Sequence, residues 1–287
     1  MNVANEWKDY KIIDMADGQK LEKWGNITLS RPDPQIIWTS KSYPEKWKKA
    51  DAIYSRSKTG GGAWKYNKKL PDNWQIKYKN LTFNIKPMGF KHTGLFPEQA
   101  VNWDWMINKI KSSKREIKVL NLFAYTGGAT VACLSAGASV CHVDSSKGMV
   151  SWAKENVASS KLNEKKVRYI IDDVNKFVAR EIRRGNKYDA IIMDPPSYGR
   201  GAKGEVWQFE NNIYDLVELC TKVLSDKPLF FLINSYTTGI SSTVLANILN
   251  LTVNKEHKGK IEAGEIGLPM ENSQLILPCG IYGRWED

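Results

Sequence analysis

The chain has 287 residues, of which 42% are hydrophobic and 25% charged, and both fractions are ordinary for a globular protein. No apolar run approaches the roughly 20 residues that a membrane-spanning helix needs, and no signal-peptide pattern opens the chain. We therefore expect a cytoplasmic protein with no membrane partner. The four cysteines form no CxxC or Cys/His spacing, so we expect no metal site.

The net charge of +11 is unevenly distributed. Residues 1–100 contain 18 Lys and Arg against 10 Asp and Glu, a net charge of +8, and eight of the 11 tryptophans lie within residues 1–105. A basic, aromatic-rich segment suits phosphate neutralisation and base stacking. A solvated basic surface over a small tryptophan-containing core is the alternative, and the sequence leaves both open.

Short β-prone pieces separated by turn formers make up the first 90 residues, which predicts a small β-rich or α+β domain. The turns are predicted at Asp17-Gly18, Pro32-Asp33-Pro34 and Gly60-Gly61-Gly62. The strands are predicted at Tyr10–Met15, Asn26–Ser30, Gln35–Trp38 and Leu81–Lys86.

From about residue 97 the pattern changes to alternating strands and helices, which is typical of βαβ units and a parallel sheet with helices on both faces. We therefore predict an α/β, Rossmann-like domain over 89–287 that follows a β-rich domain over 1–88. A last strand is predicted at Gln274–Tyr282, where it could be an antiparallel strand at the sheet edge. The other strands are predicted at Lys118–Phe123, Ser139–Asp144, Val167–Asp172, Tyr188–Asp194 and Leu229–Asn234, and the helices at Ala129–Ala136, Lys147–Leu162, Val174–Arg184, Asn211–Leu224 and Ser241–Leu249.

The first strand end carries the sequence NLFAYTGG at 121–128. A pyrophosphate cradle needs glycines early in such a turn, so that backbone N–H groups can approach the phosphates. Here Phe123 and Tyr125 occupy those positions and the glycines come late. This pattern favours a nucleoside ligand without phosphates, although a tight turn with no ligand remains an alternative.

Acidic residues follow the next two strands. Asp144 lies 23 residues after Asn121, near the spacing at which a carboxylate accepts ribose hydroxyls. Asp172 and Asp173 end the third strand, where a carboxylate can accept from an adenine amino group. In both places capping of the following helix is the alternative function.

The fourth strand end reads Asp194-Pro195-Pro196-Ser197-Tyr198. Two prolines fix the backbone and remove two N–H donors, which leaves carbonyl groups and one carboxylate to face a pocket. Such an acceptor-rich turn can hold an amine and align it for in-line attack. We therefore predict that these five residues form the catalytic segment.

The series NLFAYTGG, HVDSS, DDV, DPPSYG and INSYTTG resembles class I S-adenosylmethionine-dependent methyltransferases, and in particular the bacterial 23S ribosomal RNA large-subunit methyltransferases. The segment GFKHTGLFPEQ at 89–99 adds to this resemblance. The resemblance implies that S-adenosylmethionine is the cofactor, that Asp144 holds its ribose, that Asp173 or Asp172 meets its adenine, and that Asp194 lies beside the sulfonium and the substrate. The full cofactor set that it implies is Phe96, Gln99, Asn121, Phe123, Ala124, Tyr125, Gly127, Asp144, Ser145, Asp172, Asp173, Val174 and Asp194.

Members of this class that methylate pyrimidine carbon-5 need a cysteine nucleophile near the fourth or fifth strand end. Those positions hold Asp194-Pro-Pro-Ser197 and Asn234-Ser235-Tyr236, so direct transfer to a base nitrogen is favoured over a covalent adduct. The basic N-terminal region favours RNA as the partner, and the resemblance implies that this RNA is ribosomal.

Two alternatives to an RNA methyltransferase stay open. The chain could be a methyltransferase that acts on a protein or a small molecule, with the first domain as a lid or as the dimer surface of a homodimer, or it could be a non-catalytic RNA-binding protein with this fold. A dinucleotide-dependent oxidoreductase is disfavoured by Phe123 and Tyr125 in the first turn. A flipped base could stack on Trp64, Tyr198 or Trp207, and the run Tyr198–Gly204 could be a mobile substrate loop; core packing and a solvated connection are the respective alternatives.

Overall fold

The structure, a computed structural model, describes residues 1–57, 61–200, 204 and 206–287. The chain forms two compact units. The larger unit comprises Met1, Val101–Ile266 and Gly280–Asp287, and the smaller comprises Asn2–Ala100 and Gly267–Cys279. The predicted assignment of functions to 1–88 and 89–287 stays a prediction. None of the helices in the described ranges is long and apolar enough to cross a membrane.

The larger unit alternates strands and helices along most of its length. Its strands are β9 (Lys118–Leu122), β10 (Ser139–Asp144), β11 (Val167–Ile171), β12 (Ala190–Met193), β13 (Tyr198–Arg200), β14 (Val206–Gln208), β15 (Phe230–Ser235), β16 (Lys260–Pro269) and β17 (Ile276–Glu286), the last two of which continue into the smaller unit. Its helices are α2 (Ala100–Ser112), α3 (Gly128–Ser135), α4 (Lys147–Ser159), α5 (Val174–Arg184), α6 (Phe209–Thr221), α7 (Ser242–Leu251) and α8 (Val253–Glu256).

The smaller unit is built mainly from antiparallel strands. Its elements are β1 (Asn2–Val3), β2 (Tyr10–Ala16), β3 (Gln19–Trp24), β4 (Ile27–Pro32), α1 (Pro44–Trp47), β5 (Ala52–Arg56), β6 (Gly62–Tyr66), β7 (Trp74–Tyr78), β8 (Leu81–Ile85) and a 3-10 turn at Pro97–Gln99. Five of the strands form a sheet in the order β2-β3-β4-β5-β6, in which the β4–β5 pair is parallel and the other pairs are antiparallel, and β7 and β8 form a separate hairpin.

The main sheet has the strand order β1-β16-β17-β15-β12-β9-β10-β11. From β9 the chain moves outward through β10 to β11, all parallel, and then returns to place β12 on the other side of β9. β15 continues the parallel run and β17 pairs with it antiparallel. The reversal between β9 and β12 is a topological switch point, and ligands bind at the carboxyl ends of the strands beside such a point.

Alternate residues of the central strands face opposite sides of the sheet, as the two-residue strand period requires. Leu120 and Leu122 of β9 join the apolar cluster that also contains residues of α5, α6 and α7. Asn121, between them, instead donates to Thr130 of α3. The predicted α/β sheet with helices on both faces is therefore confirmed, as is the β-rich character of the N-terminal region.

Two predicted elements need correction. The segment Gln35–Trp38 is not a strand: the Asp33 side chain accepts from the Gln35 N–H at 3.1 Å, and the Asp17 N–H donates to the Trp38 carbonyl at 2.8 Å. The preceding prolines favour this turn over a strand.

The strand predicted at Gln274–Tyr282 exists as β17 and is antiparallel, but it is not at an edge, because β16 pairs on its far side. Of the predicted glycine turn at 60–62, Gly60 lies outside the described residues.

A buried ion pair occupies the middle of the smaller unit. Arg31 on β4 donates to both carboxylate oxygens of Glu22 on β3, at 2.6 and 2.8 Å, and the Tyr10 hydroxyl donates to the same carboxylate at 2.6 Å. Burial by itself disfavours the charged form of Glu22, but the charges of Arg31 and Lys20 and the hydrogen bonds outweigh it and lower the pKa of Glu22 to about 2. The carboxylate is thus ionised in the folded protein at neutral pH.

Replacing Glu22 with Gln keeps the size of the side chain but removes the charge that balances Arg31. Because breaking one partner of a buried pair leaves an uncompensated charge, we expect the free energy of unfolding to fall by about 3–5 kcal/mol. Urea unfolding followed by circular dichroism measures this loss. The matched control is Glu45→Gln, since Glu45 pairs with Lys48 while their side chains are 76% and 72% exposed, and its midpoint should not move. Overlapping curves for wild type and Glu22→Gln would contradict the prediction.

Candidate cofactor and substrate site

The loop after β9 has an unusual backbone conformation, with positive φ angles at three residues. Phe123 and Tyr125 adopt positive φ values of 53° and 51°, and Gly127 has a φ of 83°. Side-chain-bearing residues adopt this region at a cost of about 1–3 kcal/mol each, and such strain concentrates at functional sites. The Ala124 N–H donates to the Val143 carbonyl at 3.0 Å and so ties the loop to the end of β10.

Glycine at 127 and 128 is explained by close packing. A Cβ atom on Gly127 would lie 2.9 Å from the Ala153 Cβ, and one on Gly128 would lie 2.9 Å from the ring of Trp103. These contacts seat the start of α3 against α4 and α2. The late glycines of the NLFAYTGG sequence thus allow helix packing, which fits a loop that does not cradle phosphates.

Asp144, at the end of β10, connects two neighbouring loops. One carboxylate oxygen accepts from the Tyr125 N–H at 2.8 Å, and the other accepts from the Ser146 N–H at 2.8 Å. Burial raises the pKa of Asp144, against the effect of these two N–H groups. Each carboxylate oxygen has a further lone pair, so the residue can hold the loop and accept hydroxyl groups of a nucleoside at the same time.

The residues after β11 take part in capping. The Asp173 side chain accepts from the Lys176 N–H at 3.0 Å and caps the N-terminus of α5, while Asp172 accepts from the Asp173 N–H and pairs with Arg180. The capping alternative considered for this segment is therefore present. Val174 is buried in the apolar cluster, so its side chain anchors the start of α5 to the core.

A buried polar chain lies beneath the first loop, and the sequence motifs did not indicate it. The Asn121 amide donates to the Thr130 hydroxyl at 2.9 Å, which lies 2.9 Å from Nδ1 of His142. All three side chains are buried. Burial lowers the pKa of His142 to about 4, although the backbone of Tyr125 acts in the opposite direction. His142 is thus neutral at physiological pH and is a structural support of the loop.

The Asp194–Tyr198 segment after β12 projects towards solvent. Asp194 is half-buried with its Oδ1 atom covered, Pro195 is buried, and residues 196–198 are exposed. The Trp207 indole N–H donates to the Pro196 carbonyl at 2.7 Å, and its ring lies 5.1 Å from that of Phe123. Trp207 therefore links the first loop to the proline turn, and the two predicted segments lie side by side.

Beside this turn, a second buried network supports the end of β15. The Asn102 amide of α2 donates to Asn234 at 2.8 Å, and the Arg284 guanidinium donates to Asn102 at 2.6 and 3.2 Å. Past the end of β15, the Thr237 hydroxyl donates to the Ser197 hydroxyl at 3.0 Å. Arg284 and Asn102 were not among the predicted residues, because nothing in their local sequence shows that distant segments meet here.

The remaining predicted residues are more scattered. Ser145 is exposed in the loop after β10. Phe96 and Gln99 belong to the smaller unit, where the Gln99 N–H donates to the Phe96 carbonyl at 3.1 Å, and their place in the cofactor pocket stays a prediction. Of the run Tyr198–Gly204, residues 201–203 lie outside the described residues. Within the described ranges, no group of three or more His, Cys, Asp or Glu residues is placed to hold a metal ion.

The buried His142 generates a prediction for the pH dependence of stability. The ordinary pKa of histidine is about 6.5, and that of folded His142 is about 4, so between these values the unfolded chain binds more protons. The free energy of unfolding should therefore fall as the pH drops through this window, by about 2 kcal/mol at pH 5 from this residue. Thermal unfolding of wild type and His142→Gln from pH 8 to 4.5 measures the difference in slope. Parallel slopes would exclude this role of His142.

Comparisons with known proteins agree with this geometry. The family model for S-adenosylmethionine-dependent methyltransferases matches residues 54–244. An S-adenosylmethionine-dependent methyltransferase from Agrobacterium tumefaciens is 34% identical, with a TM-score of 0.93 over 99% of this chain and 92% of that one. A second methyltransferase, solved with bound S-adenosylhomocysteine, shares the fold at 19% identity, with a TM-score of 0.74 over 98% of this chain and 76% of that one.

A curated relative matches over a shorter region. Ribosomal RNA large subunit methyltransferase I from Enterobacter sp. (strain 638) is 41% identical over 85 residues, which are 29% of this chain and 22% of that protein. The match therefore spans about a fifth of the relative's length. Because the family model covers well over half of the chain, and the Agrobacterium protein is similar over nearly its whole length, the chain belongs to the S-adenosylmethionine-dependent methyltransferase family and is an enzyme that uses S-adenosylmethionine.

Proposed function

We propose that this enzyme methylates RNA of ribosomal kind at a base nitrogen, by direct transfer of the methyl group. The observation that carries the proposal is the Asp194–Tyr198 turn, half-buried at Asp194 and exposed from Pro196 onward, which offers acceptors and no thiol beside the cofactor loop. An RNA substrate of this kind would place the reaction in the cytoplasm. The homodimer that the sequence leaves open stays a prediction.

Direct transfer is supported by the placement of the cysteines. Cys133, Cys141 and Cys220 are buried in α3, β10 and α6, and Cys279 belongs to the smaller unit. Burial raises the pKa of each of these thiols, whereas a nucleophilic cysteine needs a lowered pKa. A covalent adduct on cysteine is therefore disfavoured within the described residues.

An RNA substrate is supported by two findings of different kinds. The curated relative is named as a ribosomal RNA methyltransferase. The chain carries a net charge of +11, with most of the excess in the first 100 residues. A basic protein attracts the phosphate backbone in a salt-dependent manner.

Different residues would bind the different parts of the cofactor. Asp144 would accept the ribose hydroxyls on its remaining lone pairs, and the strained loop at Phe123, Ala124 and Tyr125 would enclose the methionine end. Asp173 remains the candidate for the adenine amino group through its second carboxylate oxygen, since its first caps α5. The bound cofactor supplies an electrophilic methyl group on a positively charged sulfur.

The proline turn, Asp194–Tyr198, would bind and orient the substrate. Asp194 and the turn carbonyls would accept hydrogen bonds from the attacking nitrogen and orient its lone pair in line with the methyl group. Trp207 fixes the turn through its bond to Pro196, so little reorganisation is needed when substrate binds. Asp194 need not be a strong base, because a methylated amine loses its proton easily.

Removal of the Asp144 side chain should weaken cofactor binding. Asp144→Ala deletes the acceptors for Tyr125 and Ser146 and for the ribose, so we expect the dissociation constant for S-adenosylmethionine to rise at least about tenfold, as loss of a charged hydrogen bond predicts. Isothermal titration calorimetry measures it. Glu155→Ala, an exposed carboxylate on α4, is the control and should bind as wild type does. Wild-type affinity in Asp144→Ala would rule out the assigned role.

Removal of the Asp194 side chain should affect turnover more than binding. We expect Asp194→Ala to bind S-adenosylmethionine measurably but to lose at least about 99% of its methyl transfer, since positioning groups contribute large factors to rate. Transfer of tritium from labelled S-adenosylmethionine to an unmodified bacterial 23S ribosomal RNA transcript is the assay. Asp226→Ala, an exposed carboxylate before β15, is the control. Full turnover in Asp194→Ala would refute its catalytic role.

The same assay tests the substrate itself. Nuclease digestion and mass spectrometry of the labelled RNA should find the methyl group on a base nitrogen. Label on a base carbon would overturn the direct-transfer chemistry. Label only in a protein fraction, with none in RNA, would replace the RNA assignment with a protein methyltransferase.

A further inference from the structure

An aromatic edge of the smaller unit differs from the rest of its surface. β5 and β6 pair antiparallel, with Tyr54 opposite Trp64, Ala52 opposite Tyr66, and Arg56 opposite Gly62. Directly opposite residues share one face of a sheet, so Tyr54, Arg56, Trp64 and Tyr66 lie on the same side. β6 is the last strand in its sheet, and on this side Tyr54 is buried whereas Arg56 and Tyr66 are exposed.

A short loop is fastened beside this face. The Met88 N–H donates to the His92 carbonyl at 3.1 Å and closes a turn, whose tip holds Gly89 to Lys91. The Trp64 indole N–H donates to the Met88 carbonyl at 2.8 Å, and Arg31 donates to the Lys91 carbonyl at 3.0 Å. The loop is therefore held in place on both sides, next to the ring of Trp64.

The rings at this edge remain accessible. Tyr66 is 53% and Phe90 46% exposed, and the rings of Trp64 and Tyr66 are nearly parallel at 27° with their centroids 6.4 Å apart. Trp7, Trp38 and Trp74 likewise donate their indole N–H groups to backbone carbonyls, so the indole hydrogen bond does not distinguish Trp64. What distinguishes this edge is that the rings of Tyr66 and Phe90 are exposed there.

The charge around these rings is positive. Lys20 pairs with Asp33 at 3.2 Å, and Arg31 pairs with Glu22, but within the described part of the chain neither Arg56 nor Lys91 forms a salt bridge. Burial, together with the charges of Lys20, Arg56 and Arg31, lowers the pKa of Lys91, while Asp33 opposes them. Arg56 is exposed and Lys91 directly follows Phe90 in the chain, and the repulsion between these cations shows that positive charge is in excess here. The complementary partner is an anion that carries flat rings.

We propose that Arg56, Trp64, Tyr66, Phe90 and Lys91, here called the aromatic-basic surface, bind a single-stranded segment of the RNA substrate. Bases stack on the exposed rings of Tyr66 and Phe90, and phosphates contact Arg56 and Lys91. This combination of stacking rings with flanking cations is the one that binds unpaired strands without a strict sequence requirement. The inference rests on the proposed RNA methylation and adds to it a contact outside the cofactor unit.

The test measures RNA affinity and cofactor affinity separately on the full chain. A fluorescein-labelled 20-nucleotide single-stranded RNA of mixed sequence and an abasic strand of the same length are titrated by fluorescence anisotropy, and S-adenosylmethionine by calorimetry. Tyr66→Ala and Phe90→Ala should each weaken RNA binding at least about fivefold, the lower limit for one stacked base. Their affinity for the abasic strand and for S-adenosylmethionine should stay as in wild type.

Loss of a cationic group should change RNA binding differently from loss of an aromatic ring. Arg56→Gln should weaken binding to both strands and reduce the slope of log affinity against log salt by about one, since one phosphate contact is lost. The matched controls are Tyr214→Ala, which removes an exposed ring on α6, and Lys258→Gln, which removes an exposed cation before β16. Both controls should leave the RNA affinity and its salt dependence as in wild type. Thermal unfolding of every variant verifies that it is folded.

The outcomes separate this inference from the proposed function. If wild type methylates and binds RNA, and Tyr66→Ala and Phe90→Ala bind it equally well, the surface is not an RNA contact and the inference fails alone. If wild type binds S-adenosylmethionine but neither binds nor methylates RNA, the proposed substrate fails and the inference with it. If Tyr66→Ala abolishes a wild-type dimer in sedimentation without changing RNA affinity, the surface binds a second copy and the RNA contact is overturned.

Discussion

The reversal of strand order between β9 and β12 is the constraint on which the site depends. Because β9, β10, β11, β12 and β15 are parallel, their carboxyl ends meet at one edge of the sheet, and each strand delivers its following loop to that edge. The loops after β9 and β12 come from segments about 70 residues apart, yet Phe123 and Trp207 lie in ring contact. A cofactor loop and a substrate turn can therefore face a common space.

Buried polar groups keep these loops in their strained shape. Asp144 holds the N–H groups of Tyr125 and Ser146, and the Asn121, Thr130 and His142 chain supports the same loop from within the sheet. Each such contact is costly to leave unsatisfied in a buried place, so the loop has little freedom to relax. The strained backbone conformation at Phe123 and Tyr125 is thus maintained by contacts within the protein. Ligand binding is not needed to maintain it.

The smaller unit uses its aromatic residues in two ways. Trp24 is fully buried, and the half-buried Trp7, Trp38 and Trp74 donate to backbone carbonyls, which is the core interpretation of the tryptophan-rich N-terminal sequence. Tyr66 and Phe90 instead remain exposed, in a region that includes Arg56 and Lys91, for which the described residues provide no salt-bridge partner. The core interpretation therefore applies to the packed tryptophans, whereas base stacking on the exposed rings is the function proposed above. The buried Glu22 and Arg31 pair stabilises the sheet of the same unit.

Local sequence by itself determined the order of the main-sheet strands and the helices from residue 118 to 251, but not the short β13–β14 hairpin. The two periods of apolar residues and the glycine and proline positions act over short distances. Local sequence also identified the strand-end residues, because a residue after a parallel strand lies at the binding edge wherever the sheet forms. Only the tertiary structure decided that β17 is covered by β16, that Arg284 reaches Asn102, and that the loop holding Phe90 is tied to Trp64. These contacts join segments far apart in the chain, and no local pattern specifies which distant partners meet when the hydrophobic faces pack.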